Sequence, residues 1–218
     1  MVKRKADGVE RIYDRVKKRA MEFSFAPGQK IKEGELATEF GTSRIPVREA
    51  LNRLVSEGFM TFVPNRGFFC RDIDVNNILA LYQVRAALEM WAFRRACHSA
   101  PAEDIAAFCD LWANQKTPDD FESLNHYDAE FHLSMARLSG NALLQDQIGQ
   151  ISDKIFAFRN LELQDTQRRT QTFGEHEKIL RALRGRQAEL GALLLEDHIL
   201  NSAGSAIASA RVRFGLTA

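Results

Sequence analysis

One stretch constrains this chain more than any other: residues 36–69, LATEFGTSRIPVREALNRLVSEGFMTFVPNRGFF. Leu36 and Phe40 fall on one side of a short helical segment, residues 35–40, and Gly41 then permits a tight turn. A second helix follows at once. Ser43 suits its N-cap and Pro46 is tolerated in its first turn, while Val47, Leu51, Leu54 and Val55 form its apolar stripe until Glu57 and Gly58. Two helices joined by so short a turn make a helix-turn-helix unit. Behind it, residues 59–63 and 68–70 read as two short strands around Pro64, Asn65, Arg66 and Gly67, a hairpin with an arginine at its tip. Ahead of it, Val9, Ile12, Tyr13, Val16 and Ala20 keep helical spacing and predict a further helix that ends before Pro27 and Gly28.

Polar side chains in this stretch also have a pattern. Arg44, Arg48 and Asn52 recur every four residues and so share one face of the second helix, away from much of its apolar stripe. Arginine there can bond the N7 and O6 edge of guanine with two donors, and backbone N–H groups at Ser43 can face a phosphate. The bland alternative is a solvated face with arginines paired to neighbouring carboxylates such as Glu49. Charge is distributed accordingly. Residues 1–75 carry 15 Lys and Arg against 11 Asp and Glu, and the remainder carries 15 against 18. A basic first third on a mildly acidic remainder permits an anionic partner for the first part only.

After a polar stretch at residues 71–77 every segment reads as helix, which places a boundary between domains 1–74 and 75–218. Helices are expected over 75–97, 102–115, 119–138, 142–163, 170–184 and 187–211. Six helices with short connections argue for an all-α antiparallel bundle, so the fold class is mainly α: a winged helix-turn-helix, then a six-helix bundle. The bundle contains DAEFH, with Asp128 and His132 one turn apart among Leu124, Phe131 and Met135. His176 shares a stripe with Ile179, Leu180 and Leu183, and His198 continues Leu190 and Leu194, whereas His98 and His126 lack apolar company. Either each inward group has its own buried partner, or one divalent cation satisfies all four. Three imidazoles and a carboxylate suit zinc, nickel, cobalt, manganese or iron.

With 218 residues, 45% of them hydrophobic, a substantial core can form. No apolar run approaches the ~18–20 residues of a membrane span, and no apolar segment follows the basic N-terminus, so a soluble cytoplasmic protein without a leader peptide is expected. Cys70, Cys97 and Cys109 form no CxxC pair and are expected as buried or half-buried thiols.

Residues 36–69 resemble the winged helix of GntR-family bacterial transcription regulators, and Ile45 departs from the threonine common there. The resemblance implies DNA contacts by Arg44, Arg48 and Arg66, with Ser43, Ile45 and Asn65 close by. DAEFHLSMARLSGN, EHEKILRAL and LLLEDHI are similar to the FCD effector domain of the FadR-type subfamily, and the six helices are closer to its VanR-like branch. That likeness implies a divalent metal on Asp128, His132, His176 and His198, and a small carboxylate effector. It also implies an anion-binding Arg85 in YQVRAALEM, for which a salt bridge to Glu89 is the alternative. Tyr82, Arg159 and Asn201 are further lining candidates.

Together these readings make the chain a DNA-binding regulator, a repressor acting as a homodimer on a two-fold double-stranded operator, controlled by an organic acid at a zinc or nickel site. Two rivals remain at this stage. One is a metal-dependent enzyme acting on a small carboxylic acid; the other keeps a purely structural metal.

Overall fold

The computed structural model describes residues 2–216, with side chains for 8–120 and 123–216. It divides into two compact units, Met1–Asp74 and Val75–Ala218. Thr217 and Ala218, part of the expected second domain, lie outside the described residues.

The first unit contains α1 (Val2–Met21), β1 (Lys30–Ile31), α2 (Glu33–Glu39), α3 (Arg44–Ser56), β2 (Met60–Val63) and β3 (Gly67–Cys70). Ile12, Tyr13, Val16 and Ala20 of α1 are buried with Val47, Ala50, Leu51 and Leu54 of α3. The turn between α2 and α3 depends on Gly41, whose φ of 62° is a left-handed conformation, and Thr42 N–H closes it on the Ala37 carbonyl at 2.9 Å. Gly58 repeats the device at the end of α3 with φ 80°, where Phe59 N–H reaches the Leu54 carbonyl at 2.9 Å and the chain turns into β2. Ser43 occupies the N-cap of α3, but its side chain makes no capping hydrogen bond.

The three strands form an antiparallel sheet in the order β1-β3-β2. At the hairpin tip Arg66 N–H bonds the Val63 carbonyl at 3.0 Å, with Pro64 second and Asn65 third in the turn. Asn65 has φ 59°, as the third position of a type II turn requires, so it shares with Gly67 (φ 93°) the unusual backbone expected of the glycine alone. β1 has only two residues, too few for an alternating pattern to show in sequence.

Among the described residues the second unit contains six helices: α4 (Val75–Ser99), α5 (Ala102–Asn114), α6 (Phe121–Arg137), α7 (Ala142–Leu163), α8 (Thr166–Arg184) and α9 (Ala188–Phe214). Capping carboxylate and amide groups fix three of the starts. Asp120 accepts from Ser123 N–H at 2.9 Å, Asn141 from Leu144 N–H at 3.1 Å, and Asp165 from Gln167 and Arg168 N–H at 2.8 and 3.0 Å. The cap at Asp165 begins α8 four residues before the expected start, because the polar run after it carries no apolar stripe to announce a helix. No described helix is long and apolar enough to cross a membrane.

α9 corrects one expectation. Leu190 is 51% exposed, so it does not share the inward face with His198. That face is Gly191, Ala192, Leu195, His198, Ile199, Ser202, Ala203, Ala206 and Ala210. Small residues let α9 lie close against α4, and Gly191 is the extreme case: a Cβ there would fall 2.1 Å from the buried Phe93 ring. Gly191→Ala is therefore expected to overpack this contact and lower stability by about 1–3 kcal/mol, read as a drop in Tm; an unchanged Tm would show that Phe93 can move aside.

Candidate functional site

Asp128 and His132 lie one turn apart on α6, His176 on α8 and His198 on α9, and all four are buried. One ligand atom from each falls within 4.8 Å of the others. His198 Nε2 is 3.2 Å from His132 Nε2 and 3.3 Å from His176 Nε2, and His176 Nε2 is 3.5 Å from Asp128 Oδ1. These three separations are ones spanned by ligands about 2.0–2.1 Å from a shared divalent ion.

The imidazoles are aimed from behind. His132 Nδ1 donates to Glu89 Oε2 at 2.6 Å, and His198 Nδ1 donates to Glu175 Oε2 at 2.7 Å. A proton committed to Nδ1 leaves Nε2 with its lone pair turned to the common centre, the arrangement found behind metal-binding histidines. Phe131 holds the third ring, stacked on His176 at 4.0 Å between centroids and 14° between planes. Burial keeps His132 and His176 neutral, with affinity for protons well below the ordinary 6.5. Burial opposes ionisation of Asp128, but the guanidinium charges of Arg159 and Arg85 outweigh it and hold the carboxyl below the usual range. The residues present therefore fit a divalent cation: neutral nitrogens, an ionised carboxylate and oriented lone pairs.

A second ring of charge surrounds the tetrad. Arg159 Nη1 donates to Asp128 Oδ2 at 3.3 Å, and its Nη2 to Ser152 Oγ at 2.8 Å. Arg85 Nε donates to Glu89 Oε1 at 2.6 Å, so the salt bridge that was the alternative reading of Arg85 exists, yet its Nη2 is buried without a partner among the described residues. The Tyr82 hydroxyl and Arg159 Nε are likewise buried and unpartnered among the described residues. Asn201 is exposed and is not brought to this site; Ser202, the next residue, faces inward and accepts from Arg168 Nη2 at 2.8 Å.

Arg168, Glu162 and Glu175 were missed in the sequence. Arg168 bonds Glu162 Oε1 at 2.8 Å and Glu175 Oε2 at 3.0 Å, so Glu175 links it to His198. A signal existed: residues 168, 172 and 176 are four apart and share a helix face, although the expected helix began too late to include Arg168.

In the first unit Ser43, Arg44, Ile45, Arg48, Asn52, Asn65 and Arg66 are all exposed. Ile45 is 71% exposed, so its side chain stands free on the same surface as Arg44. Arg48 lies 3.7 Å from Glu33, an exposed and loose pairing, while Arg53 is held by Glu10 at 2.8 Å and by Glu57 at 3.3 Å. Arg44 Nη2 would come within 3.3 Å of a Cβ at Gly34. The three cysteines are buried and free.

Residues 9–70 match the model of bacterial regulatory proteins of the gntR family, and residues 80–201 match the FCD domain. The chain is 36% identical over 182 residues to the Nta operon transcriptional regulator of Aminobacter aminovorans, covering 83% of this chain and 85% of that one. It is 28% identical over 214 residues to the galactonate operon transcriptional repressor of Escherichia coli K12, covering 85% and 92%. Among solved structures, a GntR transcriptional regulator from Rhodococcus sp. RHA1 superposes with a TM-score of 0.72 at 20% identity, covering 92% and 97%. Escherichia coli McbR/YncC does so with a TM-score of 0.68 at 18% identity, covering 91% and 96%. These two share the fold.

The buried neutral imidazoles give a pH dependence of definite sign. Unfolded histidines take up protons near 6.5, and His132 and His176 in the fold do so only well below it. The unfolded state binds more protons in that window, so stability is lost as pH falls. The Tm of chelator-stripped protein should drop between pH of about 7.5 and 5.5, with a shallower slope in His176→Asn; a flat wild-type profile would contradict the neutral buried pair.

Proposed function

The chain belongs to the GntR family of DNA-binding transcription regulators and carries the FCD domain, and from that premise we propose a repressor that a small carboxylate releases from its operator. The family and the matched relatives are regulators, not enzymes, which sets the metalloenzyme alternative aside. In this reading residues 1–74 bind DNA, and residues 75–218 bind the effector and dimerise.

Arg44, Arg48 and Asn52 read base edges and phosphates from α3, Ile45 packs on a thymine methyl, and Asn65 and Arg66 reach the neighbouring groove from the hairpin. Ser43 offers backbone N–H groups to a phosphate. Their common exposure supports this, as does the looseness of the Arg48 pairing, since a cation committed to a buried carboxylate would be unavailable to DNA.

Asp128, His132, His176 and His198 would hold the metal, zinc or nickel by preference and manganese, cobalt or iron by the same donor set. The bound ion supplies a Lewis-acidic anchor for an effector oxygen. The observation that carries the effector reading is the trio of buried donors without partners among the described residues, Arg85 Nη2, Arg159 Nε and the Tyr82 hydroxyl. Such groups are costly to leave unpaired, and a carboxylate accepts from all three. Net charge points the same way. Glu89, Asp128, Glu162 and Glu175 face Arg85, Arg159 and Arg168, so a divalent ion leaves one positive charge to be matched by a monoanion.

A homodimer suits a two-fold operator. Val84 and Trp91 on α4 and Leu190 and Leu193 on α9 support it, because two helices that pack together leave large apolar side chains exposed. The regulator would work in the cytoplasm, where the operator lies.

Arg44→Ala with Arg48→Ala should weaken retention of the native promoter fragment at least about 100-fold in a gel shift; unchanged retention would remove the DNA-contact assignment. Small monocarboxylates should release the fragment from metal-loaded protein and fail to do so with Arg85→Ala. If no acid in a broad panel alters DNA affinity, the metal is structural.

A further inference from the structure

A cleft of about 360 Å³ lies between α5, α6 and α8, and His176, whose Nε2 belongs to the Asp/His cluster, is one of its lining residues. Trp112, Tyr127, Phe131 and Phe173 give it aromatic walls, and Arg181 and Arg184 stand among its lining residues. The walls are arranged edge to face: Trp112 and Tyr127 are 4.8 Å apart at 73°, and Trp112 and Phe131 are 5.3 Å apart at 86°. None of the donors assigned above to the effector, Tyr82, Arg85 and Arg159, lines it.

Two features mark it as a site. The Trp112 side chain is 93% buried by its 7% relative exposure, and its indole N–H has no hydrogen-bond partner among the described residues. A buried donor of this kind normally finds an acceptor, and a ligand can supply one. Arg181 is paired with Glu177 at 3.7 Å and Arg184 with Asp110 at 2.5 Å, both as exposed ion pairs of small net worth, so a ligand carboxylate can compete for either guanidinium. The volume is within the range of small-molecule sites, and aromatic walls favour a flat, apolar body.

We propose that this cleft is a second ligand site, for a flat aromatic monocarboxylate, and that its occupancy is communicated to the Asp/His cluster through His176. The path is one residue long. His176 lines the cleft, stacks on Phe131, which also lines it, and presents Nε2 to His198 and Asp128. A ligand that fixes the Phe131–His176 stack favours the ring orientation that binds metal, and metal must then favour the ligand by the same factor.

Cinnamate is a suitable probe, and fluorescence can locate it because the chain has two tryptophans. Trp91→Phe replaces the exposed one and leaves Trp112 to report. Its emission should change saturably with cinnamate. Ala113→Phe, at an exposed position lining the cleft, should weaken that response by about tenfold or more. The response should persist in chelator, which separates this cleft from an acid held at the metal. Zinc affinity should rise by about twofold or more when cinnamate is present. No saturable change, a response untouched by Ala113→Phe, or one abolished by chelator would overturn the second site. Equal zinc affinity with and without cinnamate would overturn its coupling to the cluster.

Discussion

Two carboxylate–imidazole hydrogen bonds govern the second unit. Glu89 on α4 fixes His132 on α6, and Glu175 on α8 fixes His198 on α9, each at the nitrogen remote from the centre. Were either proton on Nε2 instead, it would point into the cluster and exclude a cation. Each carboxylate is in turn held by a guanidinium, Glu89 by Arg85 and Glu175 by Arg168, and Arg159 holds Asp128 from α7. Five helices therefore contribute to one buried network. Buried charges destabilise a fold by several kcal/mol each unless paired, and a broken pair is worse than none. Such a network suits a site whose occupancy must be felt across the bundle.

The first unit follows the opposite logic. Its core is apolar, closed by Val16, Val47, Leu51, Leu54 and Phe68, and the cations of α3 and of the hairpin tip stay outside it. Gly41 and Gly58 supply the backbone angles that position α3, so its exposed face is set by a rigid frame and not by the side chains it carries.

Most of this was legible in the sequence because it rests on periodicity and turn chemistry. Residues 142–163 are helical as the spacing required, and the wing followed from Pro64, Asn65 and Gly67 between apolar runs. The convergence of Asp128, His132, His176 and His198 was approached through their apolar company and the family likeness. What could not be read depended on packing. The inward face of α9 is rich in glycine and alanine, so Leu190 misdirected the stripe, and Ser202, which faces inward, carried no signal in the sequence. Glu175 and Arg168 belong to a polar stretch with ordinary surface composition, and only the approach of α9 to α8 gives them partners. The two-residue β1 has no pattern at all until β3 lies beside it.

An effector anchored at the cluster requires that the cluster hold a metal, which elemental analysis of dialysed protein reads out. Wild-type protein should retain about one divalent ion per chain and His176→Ala a small fraction of that, with both proteins folded by circular dichroism. Equal metal content in the two, or none in the wild type after exposure to zinc and nickel, would contradict it.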